Sequence, residues 1–415
     1  MDHPEVNTNT HTDETAIEEN PIITQLRNDV LAHINSLRLP TADNEFPDKE
    51  LIRYSHAHHR QEVTLHEWQA VGPRINNLID NFANGNEVVP EHIQPELVPV
   101  YSDHWTGYLF RLATLLWSVP VSHGYGRRMR FLVRDQFNGK LIGIFALGDP
   151  VFNLRCRDQW IGWNLEDRRE RLVHLMDAYV VGAVPPYNQI LGGKLIASLI
   201  GSEEVSHAFS QKYGTAKGII SGQNKAARLL LVTITSALGR SSLYNRLKLR
   251  DAQGNPLVEL TQIGETRGYG HFQLSNELFE RIRQLLIDEN HPYANGHQFG
   301  QGPNWRFRVL RVGLKRLGLD EELIRHGIHR EVYAMPMAPD FREYLCGRIQ
   351  EVNLERPSIN EVSGTALGRW IIPRSLRNPE FRNFNRNELL NQIGIVAGLG
   401  VPVNAEPHVE QLTFL

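Results

Sequence analysis

The stretch AYVVGAVPPYNQILGGKLIASLIG, residues 178–201, constrains the fold more than any other. A β-branched apolar run ends at Pro185-Pro186, where fixed φ angles and two missing N–H donors stop a sheet ladder. Polar residues and two glycines follow, then apolar residues at helical spacing. The chain has to leave a buried strand, turn a rigid corner and enter a helix. Such a corner either cradles a phosphate-bearing group on the N–H groups of the helix start or is only a strand-to-helix turn.

The flanking segments alternate in the same way. RRMRFLVRDQFNGKLIGIFALGD holds two short runs around Asn138-Gly139, a strong hairpin signal because a type I′ turn needs positive φ at both central residues. VFNLRCRD reads as a third strand, LEDRRERLVHLMDA as a helix and YVVGAV as a strand. GGKLIASLIGSEEVSHAFSQKYG reads as a long helix or helix pair, RLLLVTITSAL as a buried strand and RSSLYNRLKL as a short helix. VELTQIGETRGYGHFQL is a strand with a glycine-rich end. SNELFERIRQLLIDEN is a helix that Ser275 can cap and Leu274 can staple against Phe279. This order predicts an α/β (α+β) fold with a mixed central sheet over 124–290. Residues 21–120 read as a helical N-terminal domain and 291–350 as a helical extension in which Gly318 closes NWRFRVLRVGLKRLGL. Residues 1–20 read as a disordered acidic tail and 351–415 as an irregular C-terminal tail.

No apolar run reaches the roughly 18 residues of a membrane span, and the acidic N-terminus lacks the pattern of a secretory signal. The two cysteines, Cys156 and Cys346, stand in unrelated contexts; this argues against a disulfide scaffold or a cysteine-rich zinc site and suits the cytoplasm. No metal and no membrane contact are expected. Net charge is −3 but uneven: residues 1–125 hold 7 Lys/Arg against 18 Asp/Glu, and residues 126–330 hold 29 against 19. A basic middle between acidic ends points to a polyanion or phosphate ligand.

TSALGRSSLYNRLKL, GETRGYGHFQLSNELFERI, QGPNWRFRVLRVGLKRLGL and HGIHREVYAMPMA, in that order, resemble the DruA family of Druantia anti-phage defence proteins. YGRRMRFLVRDQFNGKLIGIFALGDPVFNLRCRDQWIGW resembles the same family upstream. The resemblance implies a part in a bacterial multi-gene antiviral system that also encodes a large helicase-like protein. It supplies no reaction.

More weakly, the corner resembles the GNAT acyltransferase fold, whose central strand splays at a bulge. In that fold the next turn carries Gln/Arg-x-x-Gly-x-Gly/Ala and opens a helix. This second resemblance implies GNAT-like topology, with acetyl-CoA or another acyl-CoA held at Gln189, Gly192, Gly193 and Lys194. Lys194 stands where the pattern has a small residue. The resemblance also implies that Tyr244 protonates the departing thiolate. Asp149, Glu265 and His271 are candidate bases by type.

Two segments suit nucleic acid. GETRGYGHF sets Arg267, Tyr269 and His271 among three glycines, a combination fit for stacking on a base or holding a phosphate. Arg306, Arg308, Arg311 and Lys315 form a basic segment, with the last three sharing one helical face. RCRDQWIGW suits either a pocket or a structural corner. The leading expectation is a defence component that contacts DNA or RNA through a basic GNAT-like core. The alternatives are an acyl-CoA-dependent transferase acting on a nucleobase or small amine, and a non-catalytic scaffold for a helicase partner.

Overall fold

The computed structural model describes residues 21–37, 49–121, 126–215, 226–266, 274–295, 303–324 and 328–398. They fall into two compact units: the described residues of 1–37 and 273–324 form one, and those of 38–272 and 325–415 the other.

The larger unit holds strands β1 (Pro95–Pro99), β2 (Arg128–Asp135), β3 (Leu141–Gly148), β4 (Leu175–Ala183), β5 (Leu231–Thr235), β6 (Lys248–Arg250), β7 (Pro256–Glu259), β8 (Thr261–Glu265) and β9 (Glu331–Pro336). Seven of them make one mixed sheet in the order β1-β2-β3-β4-β5-β9-β8, and β6 and β7 pair separately. Within the large sheet only β4 and β5 run parallel. The two faces of β2–β4 feed two cores, as strand alternation requires. Met129, Phe131, Phe145 and Met176 pack with Leu195, Ile196 and Phe209 from the helices Gly192–Leu199 and Glu203–Tyr213. Leu132, Ile144 and Val180 pack with Leu109 and Leu112 of the Trp105–Thr114 helix and Val71 of the Ala57–Val71 helix. Each such side chain contributes about 1.5–3 kcal/mol by leaving water.

One break in that alternation matters most. Val180 pairs with Ala146 and Ala178 with Leu147, so Tyr179 is an extra residue, a β-bulge. It places Tyr179 and Val180, neighbours in sequence, on the same side of the sheet. Pairing of β4 with β5 runs only from Leu175 to Ala178, opposite Leu231 to Ile234. The bulge falls where the two strands part.

The smaller unit is helical, with Pro21–Leu37, Asn276–Asp288 and Pro303–Arg316 packed through Val30, Phe279, Ile282, Val309 and Leu310. Ser275 caps the second of these by accepting from the Leu278 N–H at 3.2 Å, as expected. Gly318 ends the third at φ 66°.

Several elements differ from the sequence reading. The hairpin at Asn138-Gly139 is present, but only Gly139 has positive φ, and the turn is wider than a type I′ pair. VFNLRCRD is not a strand: residues Arg155–Ile161 are helical. The reason is local, since the Arg157 guanidinium donates to the carbonyls of Val151 at 2.7 Å and Phe152 at 3.0 Å, curling the segment around its own side chain. The segment at 331–336, inside the expected helical extension, is the buried strand β9, inserted between β5 and β8. Residues 351–398, the described part of the expected irregular tail, are more ordered than expected: Ile359–Ala366 begins a helical run to Arg377, and Glu388–Ala397 is a further helix. Residues 1–20 lie outside the described residues.

The RCRDQWIGW segment is a structural corner. Arg157 is fully buried. Asp158 accepts from its Nε at 2.9 Å, from Arg168 at 2.6 Å and from the Trp163 Nε1–H at 3.1 Å. Removing the carboxylate charge leaves a buried guanidinium uncompensated, so Asp158→Asn is expected to cost about 3–5 kcal/mol, read by urea or thermal unfolding.

Asp177 joins β4 to β5 by accepting from the Thr233 hydroxyl across the parallel pair and from the Val151 N–H at 3.4 Å. It keeps a sliver of surface, yet protein rings it. That desolvation raises its pKa from the ordinary 3.8 to about 7, against the pull of Arg157. A raised carboxyl pKa means stability present at acid pH and lost as pH climbs from about 4 towards 7. The melting temperature of the wild type should therefore fall relative to that of Asp177→Asn between those limits; parallel curves would refute the assignment.

Candidate functional site

The corner that opens the sequence reading folds as a buried turn. The Pro185-Pro186 bond is cis, and a 3-10 turn spans Tyr187–Ile190. Leu191 takes φ 66° and the helix Gly192–Leu199 begins. Gly192 is a close-packing glycine, since a Cβ there would sit 2.6 Å from the Tyr187 carbonyl oxygen and 2.9 Å from Ala183 Cβ. Tyr187 is held from the far side: it accepts from Asn138 at 2.9 Å and donates to Asp135 at 3.1 Å.

Where β4 and β5 part, a cavity of about 90 Å³ opens, lined by Gly193, Lys194, Val181 to Ala183, Ser242, Leu243 and Trp117. This is where the GNAT resemblance puts an acyl-CoA, and the residues present do not fit one. The volume is well below the roughly 300–1,000 Å³ of ordinary ligand sites. The Gln189 carbonyl is engaged by Arg374 at 3.4 Å and Asn378 at 3.3 Å. The Lys194 ammonium sits 5.0 Å from the centre of the Trp370 ring. Burial lowers its pKa, with Arg246 and Arg369 adding repulsion. Tyr244 is core, edge-on to Tyr333 at 5.5 Å, and burial pushes its hydroxyl pKa up.

Asp149 and Glu265 do not line that cavity. Glu265 ends the edge strand β8 and faces His329 at 3.7 Å. Asp149 is bound by the Nε of Arg127 at 2.7 Å and its backbone N–H at 2.9 Å. Arg267, Tyr269 and His271 lie outside the described residues. In the smaller unit the basic segment is largely engaged. Arg306 lies 4.0 Å over Phe279 and donates to Asn276 at 3.1 Å, and Arg311 donates to Glu321 at 2.6 Å. Arg308 stands 5.9 Å from the Tyr293 ring, and Lys315 lies in the last helical turn.

A larger cavity, about 390 Å³, lies beside the bulge of β4. Arg60 reaches it from the Ala57–Val71 helix, Arg111 from the Trp105–Thr114 helix, Arg128 and Arg130 from β2, and Lys212 from the Glu203–Tyr213 helix. The one carboxylate in its wall is Glu67, 3.7 Å from Arg111. Tyr179, the bulged residue of β4, also lines it. Arg128 and Arg130 share a face because they alternate with the core residues Met129 and Phe131.

Two of the cations are held by neutral oxygens. Arg130 donates to the Ser102 hydroxyl at 2.9 Å and Lys212 to the Arg128 carbonyl at 2.7 Å. Burial lowers the pKa of Arg130, and Arg128 and Arg111 lower it further. Lys212 is lowered by burial, then by Arg130 and Arg128. The Tyr179 hydroxyl and the Arg60 Nε are buried without a hydrogen-bond partner among the described residues. Burial pushes the Tyr179 pKa up, so the hydroxyl stays protonated as a donor. The sequence reading missed this cavity. The alternating cations of RRMRFLVR are a signal for half of it; Arg60, Arg111 and Lys212 are brought in by tertiary structure.

Among the described residues, no group of three or more His, Cys, Asp or Glu is placed to hold a metal, and no helix is long and apolar enough to cross a membrane. No solved structure matches the chain. The family described as "Druantia protein DruA" matches residues 46–347. A curated Druantia protein DruA from Escherichia coli (strain UMEA 4076-1) is 46% identical over 375 residues, covering 89% of this chain and 92% of that one. The match takes in β1 through β9 and all five cations of the larger cavity, and the chain belongs to the DruA family of Druantia proteins.

Proposed function

We propose that this DruA-family member, a component of a Druantia anti-phage defence system, contacts nucleic acid through the basic cavity beside β4. The observation that carries the reading is the convergence of Arg60, Arg111, Arg128, Arg130 and Lys212 on one concave surface with a single carboxylate. Four separate elements supply those cations, and Arg130 stands close enough to Arg111, Arg128 and Lys212 for them to repel one another. Such a surface gains most from a ligand that carries several negative charges. The lone parallel pair and the bulge at its end support a GNAT-like core put to use for binding. The strand order is consistent with that core.

Fluorescence anisotropy with labelled single-stranded DNA and RNA tests this. Affinity is expected to fall steeply between about 50 and 200 mM salt. The double variant Arg128→Ala/Arg130→Ala should flatten the logarithmic salt slope by about two, one for each phosphate contact, with circular dichroism confirming the fold. Negligible affinity for both nucleic acids at about 50 mM salt would overturn the proposal.

A further inference from the structure

We infer that the basic cavity takes one nucleotide unit bearing a phosphomonoester, so that the protein reads a phosphorylated strand end or a free mononucleotide. The inference rests on the nucleic-acid reading of the same cavity and narrows it to a chemistry.

Size comes first. A volume of about 390 Å³ lies at the lower end of small-molecule sites, roughly 300–1,000 Å³. The walls come from three helices, the start of β2 and the bulged strand, so the space suits one residue of a strand better than a duplex or a strand passing through. Charge comes second. A phosphodiester brings about one negative charge, whereas a phosphomonoester brings about −1.5 to −2 at neutral pH and three strong acceptor oxygens. Five cations against one carboxylate are more than a single diester needs.

Hydrogen bonding and shape agree. Two buried donors, the Tyr179 hydroxyl and the Arg60 Nε–H, have no partner among the described residues, a condition that native interiors seldom tolerate without a ligand, ion or water to meet it. Arg128 and Arg130 stand two residues apart on one face of β2, in position to grip a phosphate from one side while Tyr179 donates from another. The remaining wall mixes the hydroxyls of Thr64, Ser102 and Thr114 with the apolar surface of Trp117, Phe110 and Val63. That surface suits the flat face of a base or the body of a sugar. The bulge adds Val180 to the same side as Tyr179, so two consecutive residues of β4 face this way.

The test uses the full-length protein with one short single strand in three forms: 5′-phosphorylated, 3′-phosphorylated and unphosphorylated. AMP and inorganic phosphate serve as competitors. One phosphorylated form should bind at least about tenfold tighter than the unphosphorylated strand. Tyr179→Phe should narrow that ratio severalfold, and Arg130→Ala should do the same if the first variant fails to fold. AMP should compete more effectively than inorganic phosphate. Tight AMP binding with no preference among the strands would identify a free mononucleotide as the source. Equal binding of all three strands without AMP binding would overturn the inference and leave the nucleic-acid reading standing. Binding of none of these probes would overturn both. Competition by inorganic phosphate equal to that by AMP would remove the nucleotide from the proposal.

Discussion

Four residues of parallel pairing, Leu175–Ala178 against Leu231–Ile234, join the two halves of the main sheet, and the rest of the larger unit depends on how that pairing ends. The strands part at the bulged residue Tyr179. Beyond it, the far half of β4 keeps β3 on one edge and loses β5 on the other. The small cavity is lined by the far half of β4, the large one by the bulged Tyr179, and Trp117 lines both. The ring can lie there because Gly182 has no side chain; a Cβ would come within 2.6 Å of Trp117 Cζ2. A bulged tyrosine and a bare glycine on one short strand thus border two cavities.

Much of this fold is legible in the sequence because the signals are local. The apolar β-branched runs at β4 and β5, the Asn138-Gly139 turn and the Ser275 cap each act over a few residues. The failures have a different origin. The segment at 151–158 has the alternation of a strand, but a buried arginine that binds the carbonyls five and six residues back overrides it. β9 is short and apolar, and its place between β5 and β8 follows from long-range pairing that no local pattern encodes. The helices after Ser358 have weak periodicity and are fixed by tertiary packing, Ile359–Ala366 against the Gly192–Leu199 helix and Glu388–Ala397 against the Ala57–Val71 helix.

The candidate site shows the same division more sharply. The glycine pair at the corner gave the clearest motif, yet Gly192 serves close packing and Lys194 is committed to Trp370. The cavity with the stronger electrostatic case draws its cations from residues 60 to 212. Charge summed over a window of sequence correctly marked the middle of the chain as basic. It could not show that Arg60 and Arg111, from the acidic first third, join that surface. A site built on a sheet face gathers contributors by topology, and spacing along the chain carries little information about it.

Glu67 gives the cavity its last consequence. One carboxylate cannot balance five cations, so in salt solution such a space draws mobile anions from the buffer. A ligand that enters exchanges places with them, and part of its binding free energy is the entropy of the ions it releases. The identity of the background anion is then a variable of the molecule's chemistry. Chloride, acetate and phosphate compete for the same guanidinium groups with different strength, and a protein kept in phosphate buffer meets its ligand already half-answered.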